Sequence, residues 1–441
     1  MKVDFRIISF LVAFLAFGVV GAQDHGHSHD DHQHETTTHQ EHSDDHANAN
    51  AHHEAGHDCA CGHVHSDEGE YDAVGTVMGH IADANEFHIW KGVHIPLPCI
   101  LYAPEQGWSF FLSSKFHHGH NAVDGYVLNH GRVNRISDPN FPKGEQHIGC
   151  IGSQTEMVND KEKEVFYADF EGQCFKLDPP STVDGGFVGG GITSFYDFSI
   201  TKAVFTMFLA LVLLILVFSA VARGYKKNEG KAPSGIQSLF EVFFVFIRDE
   251  VSRPMIGEKK YEKYQPFIMS LFFFILFVNL LGLVPFFPGS ANVTGNIAVT
   301  MVLAVFAFIV TNINGNKHYW EHIFWMPGIP AWVKIILTPV EILSIFIKPF
   351  SLMIRLFANI SAGHIIILSL IGLIFLFGKN GASVGGAASG AVIGGLFTAF
   401  MNLIELLVAF LQAFIFAILT ASYIGAATEE HDHHHDEAHA H

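Results

Sequence analysis

The sequence has little positive charge, and its cysteines are confined to one half. Its 25 Lys and Arg residues stand against 43 Asp and Glu residues, which gives a formal net charge of −18. This balance excludes a nucleic-acid-binding protein, because such proteins need basic patches. No cysteine occurs after residue 174, and the sequence contains no GxxxxGK[ST] phosphate-binding loop. The chain therefore hydrolyses no nucleotide by itself through such a loop.

All five cysteines fall in the polar first half of the chain. They are Cys59, Cys61, Cys99, Cys150 and Cys174. Five is an odd number, so at least one thiol is left without a partner. We favour a disulfide between Cys150 and Cys174, although spacing alone leaves the connectivity open.

Residues 1–22 have the features of a secretory signal peptide. Lys2 and Arg6 precede an apolar run, and Val20–Ala22 supplies small residues for cleavage. An uncleaved anchor helix is the alternative. In both cases we expect the next segment to be exported, to a compartment that permits disulfides.

Residues 23–69 are rich in His and Asp, and residues 429–441 repeat this composition. Such segments bury no core, and we expect 23–69 to be disordered. Imidazole and thiolate suit Zn, Ni or Cu, but the irregular spacing predicts loose binding rather than a closed metal site. A merely solvated tail is the alternative, and no cofactor is required. The candidate ligands are His25, His27, His29, His32, His34, Cys59 and Cys61.

Residues 70–195 are predicted to form a small exported β-rich domain. Short β-type runs at 93–103, 107–117, 125–136 and 164–170 are separated by Gly, Pro and Asn turns. The Gly-rich stretch 185–197 is expected to be a flexible link to the apolar second half of the chain.

Residues 196–428 are predicted to form an all-α polytopic membrane domain with five transmembrane helices. Each apolar stretch is long enough to cross about 30 Å of hydrocarbon. The polar interruptions of 233–257 favour an interfacial amphipathic helix. The last two spans should form a long tilted hairpin closed by residues 378–390. The five stretches are 200–222, 265–285, 296–315, 340–378 and 392–424.

The distribution of Lys and Arg predicts the orientation. Nine of them lie between residues 223 and 263, whereas 286–295 has none. Cytoplasmic loops carry the excess of these residues. We therefore expect an exported N-terminus and a cytoplasmic C-terminus, as in a multi-pass protein of a bacterial inner membrane.

Arg355 is the most informative residue, because it lies inside a span. A guanidinium in this position costs about 3 kcal/mol on insertion scales, and it does not lose its proton. Asn359 lies four residues later on the same helix face. An intramembrane cation of this kind is first of all a candidate functional residue.

The hairpin predicts which polar groups share a depth. Arg355 and Gln412 are nearly equidistant from the turn, as are His364 and Glu405. The second pair should lie about 10–14 Å closer to the outer face. Glu341 precedes Arg355 near the cytoplasmic end. An acid–base pair, a permanent cation and a carboxylate thus succeed one another across the membrane.

This order predicts two proton half-paths separated by a positive barrier. His titrates near neutral pH and can exchange a proton with a carboxylate, whereas Arg355 relays none. The barrier makes sense if a mobile carboxylate on a partner takes up the proton on one side and releases it on the other. The structural alternative is that these groups only hydrogen-bond the helices together.

Four segments of the membrane half resemble subunit a of the F-type ATP synthase, in the same order and spacing over about residues 195–428. Arg-Leu-Phe-x-Asn followed by Ala-Gly, with a late Leu-Gln-Ala-Phe-Ile-Phe, is the most specific combination. The segments are NLLGLVPF (279–286), NVTGNIAVT (292–300), PVEILSIFIKPFSLMIRLFANISAGH (339–364) and LVAFLQAFIFAILTASYI (407–424).

The resemblance implies a proton-path stator subunit working with the c-ring, b subunits and the remaining ATP synthase complex. It implies that Arg355 faces the c-ring carboxylate with Gln412 beside it. His364 and Glu405 become the acid–base pair of the periplasmic half-channel, Asn359 lines the path, and Glu341 belongs to the cytoplasmic half-channel.

Two other functions compete with this interpretation. A metal transporter or metal-delivery protein would use the His-rich tails, but it needs ligands in the spans, where only His364 and Glu405 qualify. A transmembrane sensor would need a cytoplasmic output domain, and the C-terminal tail is too short for one. The residues leave open whether the coupling ion is H⁺ or Na⁺.

Overall fold

The structure is a computed structural model. The signal-peptide segment, nearly all of 23–69 and the tail 430–441 lie outside the described residues, so those predictions stay predictions. The structure describes residues 61, 83–90, 93–158, 161–181, 194–228, 230–284, 289, 291–326, 329–378 and 383–429.

The first half of the described chain is β-rich, as predicted. Its strands are β1 (Glu86–Trp90), β2 (Val93–Pro96), β3 (Pro98–Ala103), β4 (Gly107–Leu112), β5 (Asn121–Val123), β6 (Tyr126–Asn129), β7 (Arg132–Arg135), β8 (Glu145–His147), β9 (Ile151–Val158), β10 (Lys161–Phe170), β11 (Gln173–Lys176) and β12 (Tyr196–Asp197). They pair antiparallel in four small sheets, with the orders β1-β2, β11-β10-β9, β12-β3-β4 and β7-β6-β5-β8. We call this unit the β domain.

Tight turns and buried aromatic residues shape the β domain. Asp124–Gly125 and His130–Gly131 have positive φ at both positions, which matches the right-handed twist of the strands they join. Tyr126, Phe116 and Phe195 are fully buried in one of its two core clusters. Burial of such aromatic residues dominates the stability of a small core.

The disulfide prediction was wrong, because Cys174 is bonded to Cys61. Cys150 also forms a disulfide, and its partner is not Cys174. Cys61 therefore has no thiolate for a metal ion. Cys99 is the one free, buried thiol among the described cysteines, and burial raises its pKa to about 12. The odd thiol predicted from the cysteine count is thus an inert core residue.

The end of the predicted flexible link is part of a sheet. Phe195 is fully buried, and Tyr196 and Asp197 pair with β3. The amide of Phe198 donates to Ile100 O (2.8 Å). Three residues later Thr201 caps the first long helix by accepting from Val204 N. The link prediction was wrong for 194–197, because these side chains and backbone groups complete the β domain.

The second half of the described chain is helical. Its helices are α1 (Lys202–Lys227), α2 (Ile236–Phe246), α3 (Arg253–Ile256), α4 (Tyr261–Gly282), α5 (Ile297–Ile313), α6 (Lys317–Phe324), α7 (Ala331–Phe377) and α8 (Val384–Thr428), with a π-helical segment Ile247–Ser252 between α2 and α3.

Four of these helices are long and apolar enough to cross a membrane, and a fifth crossing arises if α5 and α6 count as one broken span. The two helices meet at 105°, so α5 is shorter than the predicted span 296–315 and the chain bends sharply after it. Segment 233–257, predicted to be interfacial, forms α2, the π-helical segment and α3. Phe240 and Phe244 of α2 pack against Phe218 of α1 and Phe273 of α4.

Helices α7 and α8 form the predicted hairpin and make the most extensive helix contact of the described chain. The predicted turn 378–390 was too long, since α8 begins at Val384 with a Ser383 cap. The start of α4 lies beside the end of α5, where Lys263 Nζ donates to Asn314 Oδ1 (3.0 Å). At the end of α8, Lys260 Nζ donates to Thr428 O (2.6 Å). The β domain and the loop 291–296 therefore lie at one end of the helical unit, and the basic segment 223–263 lies at the other.

Replacing both Cys61 and Cys174 by serine should destabilise the β domain by about 2–5 kcal/mol, the usual cost of losing a native disulfide. Pulse proteolysis of the full-length protein in nanodiscs, across a urea gradient, measures this. The control Cys99→Ala removes a buried sulfur without a cross-link and should cost about 1 kcal/mol. Equal losses in the two variants would contradict a stabilising role for the cross-link.

Candidate functional site

His364 of α7 and Glu405 of α8 face each other inside the helical unit. His364 Nε2 lies 3.7 Å from Glu405 Oε1, and their side chains are 19% and 4% exposed. The sequence places both residues at one depth of the hairpin, and the structure brings them together. The distance of 3.7 Å is longer than a hydrogen bond, so a proton passes between this imidazole and carboxyl group after a small side-chain movement or through one bridging water.

Glycines make room for this pair. A Cβ placed on Gly363 would lie 2.9 Å from Glu405 Oε1, so any side chain at that position would displace the carboxyl group. A Cβ on Gly282, at the end of α4, would lie 3.9 Å from His364 Nε2 and 3.2 Å from Ala291 O. Glu405 therefore packs directly against the α7 backbone, and His364 lies beside the end of α4.

Both carboxyl oxygens of Glu405 are buried without a hydrogen-bond partner in the described part of the chain. A buried polar atom in that condition destabilises the fold by about 1–3 kcal/mol. Such groups are few in native structures, and a catalytic role is one of the recognised reasons for them. This favours a chemical role for Glu405 over one in holding the helices together.

A set of polar residues missed by the sequence reasoning lies at the same end. Thr294 Oγ1 donates to Asn279 Oδ1 (2.7 Å), and Asn279 Nδ2 donates to the carbonyl of Ala409 on α8 (3.3 Å). Asn292 Nδ2 is buried with no hydrogen-bond partner in the described residues. These asparagines and the threonine fall in segments 279–286 and 292–300, whose resemblance to the F-type subunit gave them no individual roles.

Arg355 lies one turn before Asn359 on α7 and is half-buried. No described residue forms a hydrogen bond or ion pair with it, although it is near enough to Tyr423 of α8 to act on it electrostatically. Gln412 was predicted to share its depth. Gln412 Oε1 accepts a hydrogen bond from Asn359 Nδ2 (2.8 Å), one turn along α7 from Arg355. The shared depth of Arg355 and Gln412 stays a prediction.

A second polar region lies on the other side of Arg355. A small cavity between α5, α6, α7 and α8 is lined in part by Asn312, Tyr319, Lys348 and Tyr423. Tyr319 OH donates to Asn312 Oδ1 (3.3 Å), and Lys348 Nζ lies 5.6 Å from the Tyr423 ring centre. Glu341 is half-buried and acts electrostatically on Tyr319, so it belongs to this region.

Along α7, the Arg355 cation therefore lies between two polar regions. His364 lies nine residues beyond Arg355, about 13 Å at 1.5 Å per residue, and Lys348 lies seven residues before it, about 10 Å. Two regions that can hold protons are separated by a charge that cannot give one up.

The comparison with known families agrees with this geometry. The sequence profile described as "ATP synthase A chain" matches residues 204–425. The chain belongs to the ATP synthase A chain family. Members of this family are multi-pass membrane proteins, in keeping with the four to five membrane-length helices found here.

Curated relatives support the assignment to the ATP synthase A chain family. An ATP synthase subunit a from Chloroherpeton thalassium is 44% identical over 188 residues, covering 41% of this chain and 55% of that protein. One from Chlorobium phaeobacteroides (strain BS1) is 44% identical over 207 residues, covering 46% and 57%. One from Myxococcus xanthus is 39% identical over 206 residues, covering 45% and 66%. The matched part of the chain thus spans 55% to 66% of the length of these three relatives.

The β domain lies outside the ATP synthase A chain match. Residues 76–160 match a domain of unknown function, so this part of the chain carries no assigned activity. The described residues contain no group of three or more His, Cys, Asp or Glu able to hold a metal ion. The metal-transport alternative therefore has no support from the described part of this ATP synthase A chain family member.

Replacing Glu405 by leucine should keep or raise the free energy of unfolding, by up to about 3 kcal/mol, because it removes two buried oxygens without hydrogen-bond partners. The control Gln412→Leu should lower it by about 1 kcal/mol, because Asn359 loses its acceptor. Thermal unfolding of both variants in nanodiscs measures the difference. A loss for Glu405→Leu as large as for Gln412→Leu would show that the carboxyl group is a structural one.

Proposed function

We propose that this chain is the proton-path stator subunit of the membrane (F0) sector of an ATP synthase in a bacterial inner membrane. The observation that carries the proposal is the pair of polar regions flanking Arg355 along α7 and α8. Membership of the ATP synthase A chain family supports it. The partners are then the c-ring, the b subunits and the rest of the complex, and ATP is made on other subunits.

Protons reach the first region from the end of the helical unit that carries the β domain. The Asn279–Thr294 pair and Asn292 supply polar groups between the loop 291–296 and α8. His364 and Glu405 then act as one acid–base unit, in which a proton taken up by one group passes to the other. From this unit the proton neutralises a carboxylate on the c-ring.

Arg355 separates the two half-paths. Its charge repels a free proton and attracts an ionised carboxylate at short range in this low-dielectric setting. Ala358 and Ala362 are exposed on the same helix, and such small residues leave a shallow strip for close approach of a partner helix. A c-ring carboxylate reaches Arg355 only after giving up its proton, which prevents protons from crossing without ring rotation.

The second region receives the proton after ring rotation. The cavity lined in part by Lys348, Tyr423 and Tyr319 lies on the Glu341 side of Arg355 along α7. Asn359, hydrogen-bonded to Gln412, lies between the two regions and positions the groups around Arg355. Two polar regions separated by Arg355 would also suit a path for hydrated Na⁺. The coupling ion is therefore set by the c-ring rather than by this chain.

The orientation belongs to the same proposal. Residues 1–22 act as a signal peptide, 23–69 form an exported His-rich tail, and 70–195 form the exported domain. Residues 196–428 form the membrane domain, and 429–441 remain in the cytoplasm. Nine Lys and Arg residues between 223 and 263 support a cytoplasmic location for that segment.

Arg355→Ala should abolish ATP-driven acidification of inverted membrane vesicles and raise passive proton leakage through the complex, because the positive barrier is gone. Lys317→Ala is the control. It removes an equally positive side chain that is 91% exposed, and pumping should be unchanged. Retained pumping by Arg355→Ala, with the protein assembled, would overturn the barrier role.

His364→Ala and Glu405→Ala should each lower the pumping rate by about 10²-fold or more, the usual contribution of a positioned acid or base. The exchanged double variant His364→Glu with Glu405→His should recover a substantial part of the rate, because both groups remain at one depth. The same vesicle assay measures all three. A double variant as poor as the single ones would contradict a function of the two residues as one unit.

A further inference from the structure

The sheet β12-β3-β4 has one face in the core of the β domain and one face outside it. Side chains alternate between the two faces of a strand. On β3 the residues Cys99, Leu101 and Ala103 are at most 1% exposed and belong to a core cluster. The residues between them point to the opposite side.

That opposite side is continuously apolar. It is lined by Pro98, Ile100 and Tyr102 of β3 and by Trp108, Phe110 and Leu112 of the edge strand β4, which we call the apolar sheet face. The β4 side chains are 56%, 68% and 48% exposed. A soluble protein rarely exposes a contiguous apolar surface of this kind without a partner for it.

Aromatic contacts hold the apolar sheet face in one shape. The Trp108 ring centre lies 5.0 Å from that of Tyr102 and 5.8 Å from that of Phe110. Two residues next to β3 extend this aromatic cluster. The ring centre of Tyr196, in β12, lies 6.4 Å from that of Tyr102, and the ring centre of Phe198 lies 5.7 Å from that of Trp108. The surface is therefore preformed rather than a set of loose side chains.

The apolar sheet face is continuous with the first membrane-length helix. The amide of Ile200 donates to Pro98 O (3.0 Å), and α1 begins at Lys202. Ile200, which pairs with Pro98 at one edge of the face, thus lies within about 7 Å of the start of α1, at 3.3 Å per extended residue. Asp83 Oδ1 accepts from Ala203 N (3.0 Å), so the domain cannot turn freely on this helix.

The composition of the face favours lipid over protein as its occupant. Trp and Tyr are enriched where a membrane meets water, because their rings are apolar with one polar group. Tyr102 and Trp108, the two residues of the face farthest from α1, are of these types. Pro98 and Leu112, the nearest ones, are aliphatic. A strand of six residues, about 20 Å long, exceeds the interfacial layer of about 5–8 Å on each side, so the face must lie along the surface to be covered.

We propose that the apolar sheet face rests on the lipid–water interface at which α1 enters the bilayer, with Trp108, Phe110 and Leu112 inserted among the headgroups and upper acyl chains. The β domain is then a membrane-bound cap on the helical unit. This inference rests on α1 being a span and is independent of the direction of proton flow.

Spin labels test the proposal in the full chain, within the assembled complex in nanodiscs. Phe110→Cys carries the label, and the control Met157→Cys carries it at a residue of β9 that is also 68% exposed. Cys99 is 1% exposed and takes no label. We expect position 110 to be several-fold more accessible to oxygen, and several-fold less accessible to a water-soluble nickel chelate, than position 157.

Two results would overturn the proposal. Equal nickel accessibility at positions 110 and 157 would mean that the face is in water. Exclusion of both oxygen and nickel from position 110 would mean that another protein or a second copy covers it.

A second measurement keeps the native face intact. Lipids brominated near the headgroup should quench part of the fluorescence of the unlabelled chain, and Trp108→Phe should remove that part. Quenching that is unchanged by Trp108→Phe would place Trp108 outside the membrane and overturn the proposal.

Discussion

Close packing of α7 on α8 is the constraint on which the candidate site depends. Only this contact brings His364 to Glu405 and Asn359 to Gln412 in a setting with few other polar partners. This packing requires small residues where α7 and α8 are in contact. Gly363 of α7 is the residue against which the Glu405 carboxyl group packs. A methyl group there would lie 2.9 Å from Glu405 Oε1 and force that oxygen to move, so the position of the carboxyl group depends on the missing side chain at residue 363.

The same packing leaves one part of the hairpin surface uncovered. Arg355 is half-buried and has no anionic partner among the described residues, and Asn359 and Ala358 beside it are exposed. An unpaired guanidinium in a membrane-length helix is costly, so the isolated chain is energetically incomplete at this point. Under the proposed function, a c-ring carboxylate supplies the missing negative charge.

The sequence predicted the helical hairpin and the His364–Glu405 contact because helical rise is constant, so depth can be read from residue number. The hydrogen bond between Asn359 and Gln412 was not predicted, because the direction in which a side chain leaves α7 or α8 is set by packing. The Cys61–Cys174 disulfide could not be predicted from the sequence, since the arrangement of the strands in space determines which cysteines are close enough to bond. The bend between α5 and α6 was also missed, because composition reports length and polarity but no angle. Asn279 and Thr294 carried no signal beyond being polar near an apolar run.

The strand β12 links the β domain to the helical unit, and its position in the sequence also affects when the β domain can fold. β3 and β4 are made early in the chain, but the sheet they belong to is closed by residues 196–197, which immediately precede α1. Contacts between residues so far apart in sequence form late, because a long loop must close first. The β domain therefore cannot complete its fold until the chain has been delivered up to the start of the first span. Completion of this sheet and the start of α1 therefore depend on the same few residues of the chain.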